Sequence, residues 1–267
     1  MTQAAVSYQI KLLEERVGVP LFHRIGRRIE LTAQGQALAP VILRAFDEMR
    51  AGFASLSADS ASVLTISSSI SFAHLWLAPR IGQFQMLQPD LAVRIQSSNE
   101  LVDFARDPVD VAIRGGDGRW PGLDAQLLRR NRIAPMCSPD FLNRQTPVKS
   151  ATDLLSWPRL SPDDSWWPHW FGGMGVSLGE ERPTATIALD SEVMEGRAAM
   201  AGQGLAILIP FFWQQEIEAG LLVEPILSDV PEALSYWVVY PHTNRNQPKI
   251  KLFRHWIAGE FVGEPSY

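Results

Sequence analysis

A chain of 267 residues with 46% hydrophobic and 20% charged side chains is too long for one small domain, and its apolar content argues against wholesale disorder. A formal net charge of -5 argues against a surface coated for nucleic acid; a lone cysteine, Cys137, excludes an internal disulfide framework and fits a reducing compartment. No apolar run is long enough to span a bilayer and the N-terminus lacks a basic-then-apolar leader, so the protein is expected to be cytoplasmic, with no membrane partner.

The charge is unevenly placed. Residues 1–35 hold Lys11, Arg16, Arg24, Arg27 and Arg28 against Glu14, Glu15 and Glu30, a small basic head on an acidic body. Thr2 can cap a helix, Gln3 through Arg16 contains no Gly or Pro, and Gly18 ends the run. Val6, Ile10, Leu13 and Val17 fall on one face of that helix, the side expected to be buried. The other face presents Gln3, Ser7, Tyr8 and Lys11, groups that hydrogen-bond base edges and phosphates. Leu21-Phe22-His23-Arg24, a turn at Ile25-Gly26-Arg27, and Arg28-Ile29-Glu30-Leu31 then read as a hairpin tipped by arginine. A helix that fits the major groove beside a basic hairpin that straddles phosphates is a winged-helix arrangement, with double-stranded DNA as its partner.

Thr32 opens a second helix, in which Leu38, Ile42, Ala45, Met49, Phe53 and Leu56 recur at coiled-coil-like spacing. A helix of roughly seven turns with one narrow apolar seam points to a partner helix and so to dimerisation, the alternative being packing on its own body. Ser57 through Ser62 is a small-residue hinge.

From Val63 strands and helices alternate. Strands are expected at Val63–Ile66, Leu91–Ile95 and Val109–Ile113, with one or two more in Leu127–Cys137. Later ones are expected at Thr186–Leu189, Leu205–Ile209 and Tyr236–Tyr240. Helices are expected at Phe72–Met86, Leu101–Arg106, Ala151–Leu155, Glu192–Ala201, Phe212–Ala219 and Lys249–Phe261, with an aromatic-rich segment at Trp157–Phe171. Such alternation implies an α/β body with right-handed crossovers and parallel-rich sheets.

Several blocks carry a family likeness. They are Thr2-Gln3-Ala4-Ala5-Val6-Ser7 with Leu12-Leu13-Glu14-Glu15, Gly18-Val19-Pro20-Leu21-Phe22 with Arg24, and Leu31-Thr32-Ala33-Gln34-Gly35. In the body they include Ser71-Phe72-Ala73, Trp76-Leu77-Ala78-Pro79-Arg80, Leu101-Val102-Asp103-Phe104, Asp110-Val111-Ala112-Ile113-Arg114-Gly115, Trp120-Pro121-Gly122-Leu123, Cys137-Ser138-Pro139 and Ala201-Gly202-Gln203-Gly204-Leu205-Ala206. Together these residues resemble the LysR-type transcriptional regulators, in particular the glycine-cleavage-activator-like branch. The resemblance implies a winged helix-turn-helix over 1–31, a linker and dimerisation helix with hinge over 32–62, and an effector domain over 63–267 shaped like a periplasmic solute-binding protein. Lobe one would comprise 63–138 and 241–267, and lobe two 139–240, with a metabolite held between them. Homodimers or homotetramers are implied, and no cofactor.

The family places two helices before the recognition helix, whereas this chain opens at Met1, where that helix begins. Val6, Ile10 and Leu13 then lose part of their cover, which costs roughly 25 cal/mol per Å². Either the start lies upstream or the product is shortened; a shortened product is expected to bind DNA weakly or not at all while keeping effector binding.

On the family pattern Gln3, Ala4, Ser7 and Tyr8 occupy base-facing positions, although Tyr8 stands where a basic or imidazole side chain is common, and Arg24, Arg27 and Arg28 meet backbone phosphate. Ser67 to Ser71 lies between a strand and a helix, where a free helix N-terminus with hydroxyls suits a carboxylate, or where Ser71 is simply a cap. The resemblance favours effector contacts for Ser69 and Ser71; Ser191 repeats the arrangement in lobe two. Arg114, at a strand end, can pair with an acid, and Ser98 can line the same mouth. Trp166, Trp167 and Trp170 with His169 either wall the cleft or cover lobe two, the second being the simpler reading. Asp163, Asp164 and His169 lack metal-ligand spacing, and Cys137 reads as a small hydrophobe at the interlobe crossover. No Ser/His/Asp set, GxSxG motif or phosphate-cradling glycine loop is present, so a ligand-responsive regulator is favoured over an enzyme; the alternative is a small-molecule sensor without a working DNA head.

Overall fold

The computed structural model describes residues 3–25, 28–55, 63–179, 187–231 and 235–262, with backbone only for 3, 4, 24, 25, 28, 44 and 47–55. The chain forms two compact units, Met1–Ser60 and Ala61–Tyr267.

In the first unit α1 spans Gln3–Val17. It ends because Gly18 turns left-handed (φ +76°) and returns its N–H to the Glu14 carbonyl at 2.9 Å. The hairpin follows as β1 (Phe22–Ile25) and β2 (Arg28–Leu31), antiparallel with Phe22 opposite Leu31. Thr32 then starts α2 (Ala33–Ser55): its Oγ1 accepts the Gly35 N–H at 3.0 Å and donates to the Pro20 carbonyl at 2.8 Å. Gly35 is required there, since a Cβ would sit 2.1 Å from the Leu21 carbonyl oxygen. The expected burial of the apolar face of α1 is not found. Val6, Leu13 and Val17 are exposed, Leu13 at 42%, because nothing among the described residues of the unit packs over them. The seam of α2 is likewise uncovered where described: Leu38 is half-buried, and Ile42 and Ala45 are exposed. Met49 and Phe53 (side chains) and Leu56 lie outside the described residues.

The second unit contains two sheets. Sheet one runs β4 (Ala92–Ser97), β3 (Val63–Ser68), β5 (Val111–Gly116), β10 (Ser235–Pro241), β6 (Leu123–Arg129). Sheet two runs β8 (Ala206–Leu208), β7 (Arg132–Met136), β9 (Val230–Pro231). Only β3, β4 and β5 are parallel; β10 is antiparallel to both its neighbours and sheet two is antiparallel throughout. The expected parallel-rich pattern therefore holds for one half of one sheet. The lobe boundaries need correction as well. The chain leaves sheet one after Arg129 and returns at Ser235, so β7 belongs to lobe two and β10 to lobe one. A strand that re-enters from the far lobe arrives in the reverse sense, which is why β10 is antiparallel.

Helices α3 (Ile81–Leu87), α4 (Pro139–Asn143), α5 (Trp166–Gly173), α6 (Glu192–Met200), α7 (Gln214–Glu218) and α8 (Pro248–Gly259) complete the body. The single helix expected over Phe72–Met86 is instead a π-helix, Phe72–Leu77, broken from α3 near Pro79, which has no N–H to continue the ladder. Leu101–Arg106 forms turns rather than a helix, because the Asp103 carboxylate takes the Ala105 N–H at 3.0 Å. Ile187–Leu189 forms no strand; Ser161 stands in for a ladder partner, its Oγ accepting the Leu189 N–H at 2.9 Å. One apolar core runs through both lobes, from Leu64, Ile66 and Ile113 to Ile133, Met136 and Ile207.

Candidate functional site

In the head, Ser7, Tyr8 and Lys11 are exposed on α1, and Lys11 lies 3.8 Å from Glu15 one turn on, a pairing weak enough to yield to phosphate. Arg27 and the side chains of Gln3, Ala4, Arg24 and Arg28 lie outside the described residues. Glu14 was not foreseen. Its Oε1 accepts the backbone N–H groups of Leu21 and Phe22 at 2.8 and 3.0 Å, fixing the angle at which the hairpin leaves the helix. Leu21 is buried beneath this turn.

In the body, Ser69, Ser98 and Arg114 gather where β3, β4 and β5 end at their C-terminal edge. Ser69 N–H bonds the Ile113 carbonyl at 3.2 Å, and Ser98 N–H bonds the Ser68 carbonyl at 2.9 Å. Arg114 is only 7% exposed. Its Nη2 donates to Ser67 Oγ at 2.7 Å and to the Glu100 carbonyl at 3.1 Å, and Nη1 donates to the Ile113 carbonyl at 3.0 Å. All three acceptors are neutral, and burial, partly opposed by Tyr236, lowers the guanidinium pKa. Ser69 Oγ is buried with no partner, as is Arg114 Nε. The Ser71 side chain makes no capping bond to the π-helix it precedes, while Ser98 Oγ accepts the Glu100 N–H at 3.0 Å.

Ser191 sits at the start of α6, again with no side-chain cap bond. The link between this terminus and the Ser69–Ser71 loop is a short 3-10 turn, Pro210–Trp213. Phe212 meets Phe72 edge-on at 5.9 Å and Tyr236 at 5.6 Å, while Trp213 Nε1 donates to Glu192 Oε1 at 3.2 Å, next to Ser191. Glu192 Oε1 also accepts the Ile209 N–H at 2.8 Å. Gly196 allows this approach, since a Cβ there would lie 2.1 Å from the Trp213 ring. Further along α6, Glu195 is buried. Burial raises its carboxyl pKa to about 7; a bond from Ser161 opposes the rise and the charge of Asp164 adds to it.

The tryptophan-rich segment covers lobe two. Trp167, Trp170 and Phe171 are fully buried, with indole donors bonded to the Leu160 carbonyl (3.1 Å) and Ser228 Oγ (2.9 Å). Cys137 is buried, and burial pushes its thiol up to about 12. Among the described residues no group of three or more His, Cys, Asp or Glu side chains is placed to hold a metal ion, and no helix is long and apolar enough to cross a membrane. Sequence reasoning missed Glu192, Trp213 and Phe212; an acid in a first helical turn reads as a dipole complement whether or not it is buried.

Comparison with known proteins matches residues 1–36 to the bacterial regulatory helix-turn-helix protein, lysR family, and residues 57–262 to the LysR substrate binding domain. The glycine cleavage system transcriptional activator of Escherichia coli K12 is 35% identical over 99% of this chain and 87% of its own length. The HTH-type transcriptional activator AmpR of Citrobacter koseri is 32% identical over 97% of this chain and 88% of its own. Among solved structures, the effector domain of AmpR from Pseudomonas aeruginosa superposes with a TM-score of 0.64 at 27% identity, covering 76% of this chain and 96% of that one. CrgA of Neisseria meningitidis, a LysR-type regulator, shares the fold over 98% of this chain and 91% of its own with a TM-score of 0.63 at 23% identity.

Proposed function

The chain belongs to the LysR family of bacterial regulators and is a ligand-responsive DNA-binding transcriptional regulator; from this we propose that its effector is an anion held between the lobes. Ser69, Ser71, Ser98 and Arg114 of lobe one and Ser191 of lobe two are assigned as its contacts. The observation that carries this reading is Arg114, a buried guanidinium whose described partners are all neutral. A buried charge without an opposite charge is costly, so the site favours a ligand that brings one. With Nη2 committed twice, Arg114 acts mainly through its charge and by anchoring Glu100, leaving the hydroxyls of Ser69 and Ser71 to bond the anion. The pathway from Phe72 through Phe212 and Trp213 to Glu192 gives a packed route by which the lobe-one loop and the Ser191 terminus move together.

Gln3, Ala4, Ser7 and Tyr8 are assigned to base edges, and Lys11, Arg24, Arg27 and Arg28 to phosphate. The uncovered seam of α2 supports a homodimer or homotetramer. The reading is tested by titrating small carboxylates against the full chain in a gel-shift and footprinting assay on its operator. An effector that changes the footprint length for the wild type and not for Ser71→Ala or Arg114→Gln supports it; identical responses in all three proteins refute it.

A further inference from the structure

Residues 130–131 are all that joins the last strand before the first crossover, β6, to β7. Asn131 in this link is 2% exposed, and neither its side-chain nitrogen nor its side-chain oxygen has a hydrogen-bond partner. Among the described residues it alone leaves a separate donor atom and acceptor atom both unmet. Its neighbours are fastened. The Arg129 guanidinium lies 4.1 Å from the centre of the Phe211 ring. Arg132 grips Glu224 with two bonds of 2.9 and 2.5 Å and donates to the Ser228 carbonyl at 3.2 Å. A buried amide left unmade bears its full desolvation penalty. A leucine of similar shape would avoid that penalty, so what compensates it comes from outside the chain.

We propose that Asn131 is a ligand-reading residue on the floor of the interlobe cleft, and that it takes a planar edge bearing one N–H beside one C=O, as a carboxamide presents. The proposal rests on the reading that the effector lies between the lobes. The amide subsite is separate from the anion subsite: in sheet one β6 is three strand spacings, about 14 Å, from β3, which leads into Ser69, and two spacings, about 10 Å, from β5, which carries Arg114. Each end can therefore be probed by itself.

The test uses the full chain with acetamide as the minimal probe, acetate as its charged isostere, and the variants Asn131→Leu and Asn131→Ala. Without probe, Asn131→Leu melts at or above the wild-type midpoint, because an unmet amide has been removed. With increasing acetamide the wild-type midpoint rises, and the rise is at least fivefold smaller in both variants. Acetate shifts all three proteins alike. A lower midpoint for Asn131→Leu in the absence of probe, with acetamide acting equally on wild type and Asn131→Ala, overturns the proposal, since the amide would already be bonded within the protein. A response to acetate but none to acetamide overturns it while leaving the anion site intact, whereas a response to neither removes the support for both.

Discussion

The head and the body of this chain follow the same apolar periodicities and bury them differently. In the body the faces marked by sequence spacing are closed over: Leu64, Ile66, Trp167, Trp213 and Phe253 are fully buried in one continuous core. In the head, among the described residues, Leu21 is the one buried large apolar side chain, while Val6, Leu12, Leu13, Val17, Ile42, Leu43 and Phe46 are exposed. Periodicity says which side chains share a face. It does not say whether the same chain supplies the surface that covers it. The body is stabilised by contacts with itself, and the described apolar faces of the head are left open.

That contrast is broken most readily from the body. Trp213→Ala removes a fully buried indole, strips the donor from Glu192 Oε1 and opens space beside Gly196. A loss of about 3–5 kcal/mol in unfolding free energy is expected, measured by urea denaturation of the full chain. A loss below about 1 kcal/mol would mean that the aromatic link between the lobes is loosely packed and the contrast overstated.

The next effect comes from Glu195. Its folded pKa of about 7 lies above the ordinary carboxyl value of 4.5, so folding favours the protonated form. The contribution is fully present below pH 4.5 and is lost as pH rises through 7. Over that window it amounts to roughly 3 kcal/mol, at 1.36 kcal/mol per unit. Melting curves between pH 5 and pH 8 are expected to show the wild type losing stability relative to Glu195→Gln. Parallel curves would show that a cation or water already compensates the carboxylate.

Much of the head was legible because its signals are local. Gly18 has the left-handed turn its position suggested, and Thr32 caps α2 through the Gly35 amide as a Thr before a helix should. In the body, Ser69, Ser98 and Arg114 were legible as a group because strand ends that alternate with helices converge on one edge. The exchange of β7 and β10 between lobes was not. Val238 pairs with Ile113, 125 residues away, and nothing in an apolar run says which sheet it joins. The π-helix was hidden too, since Phe72, Ala73, Trp76 and Leu77 keep a spacing that an α-helix also satisfies. Asn131 and Glu195 escaped for a different reason. Asn131 stands among Arg129, Arg130 and Arg132, and Glu195 sits one turn from Glu192, company in which a polar residue reads as surface; only three-dimensional packing shows that both are enclosed.

Turning to the head, Glu14→Ala removes the acceptor for two backbone N–H groups at the junction of α1 and the hairpin. A cost of about 1 kcal/mol is expected, confined to this unit because no core side chain is lost. It is read as faster hydrogen exchange at the amides of Leu21 and Phe22 with an unchanged body transition. Slowed DNA association should accompany it, because the wing would no longer hold one angle to α1.

The smallest effect on folding tests the contrast most directly. Phe46 is 59% exposed on α2, so within one chain Phe46→Ser removes little buried surface. Surface changes of that kind alter stability by less than about 0.5 kcal/mol, and the body transition should not move. If the uncovered faces of the head are instead covered in the assembled regulator, the same substitution acts on association. Sedimentation equilibrium would then show the variant dissociating at protein concentrations where the wild type remains assembled, with the deficit growing as a second exposed position, Leu43, is also made polar. Unchanged association in the double variant would locate the contact elsewhere and leave α2 as an exposed apolar helix with no function assigned.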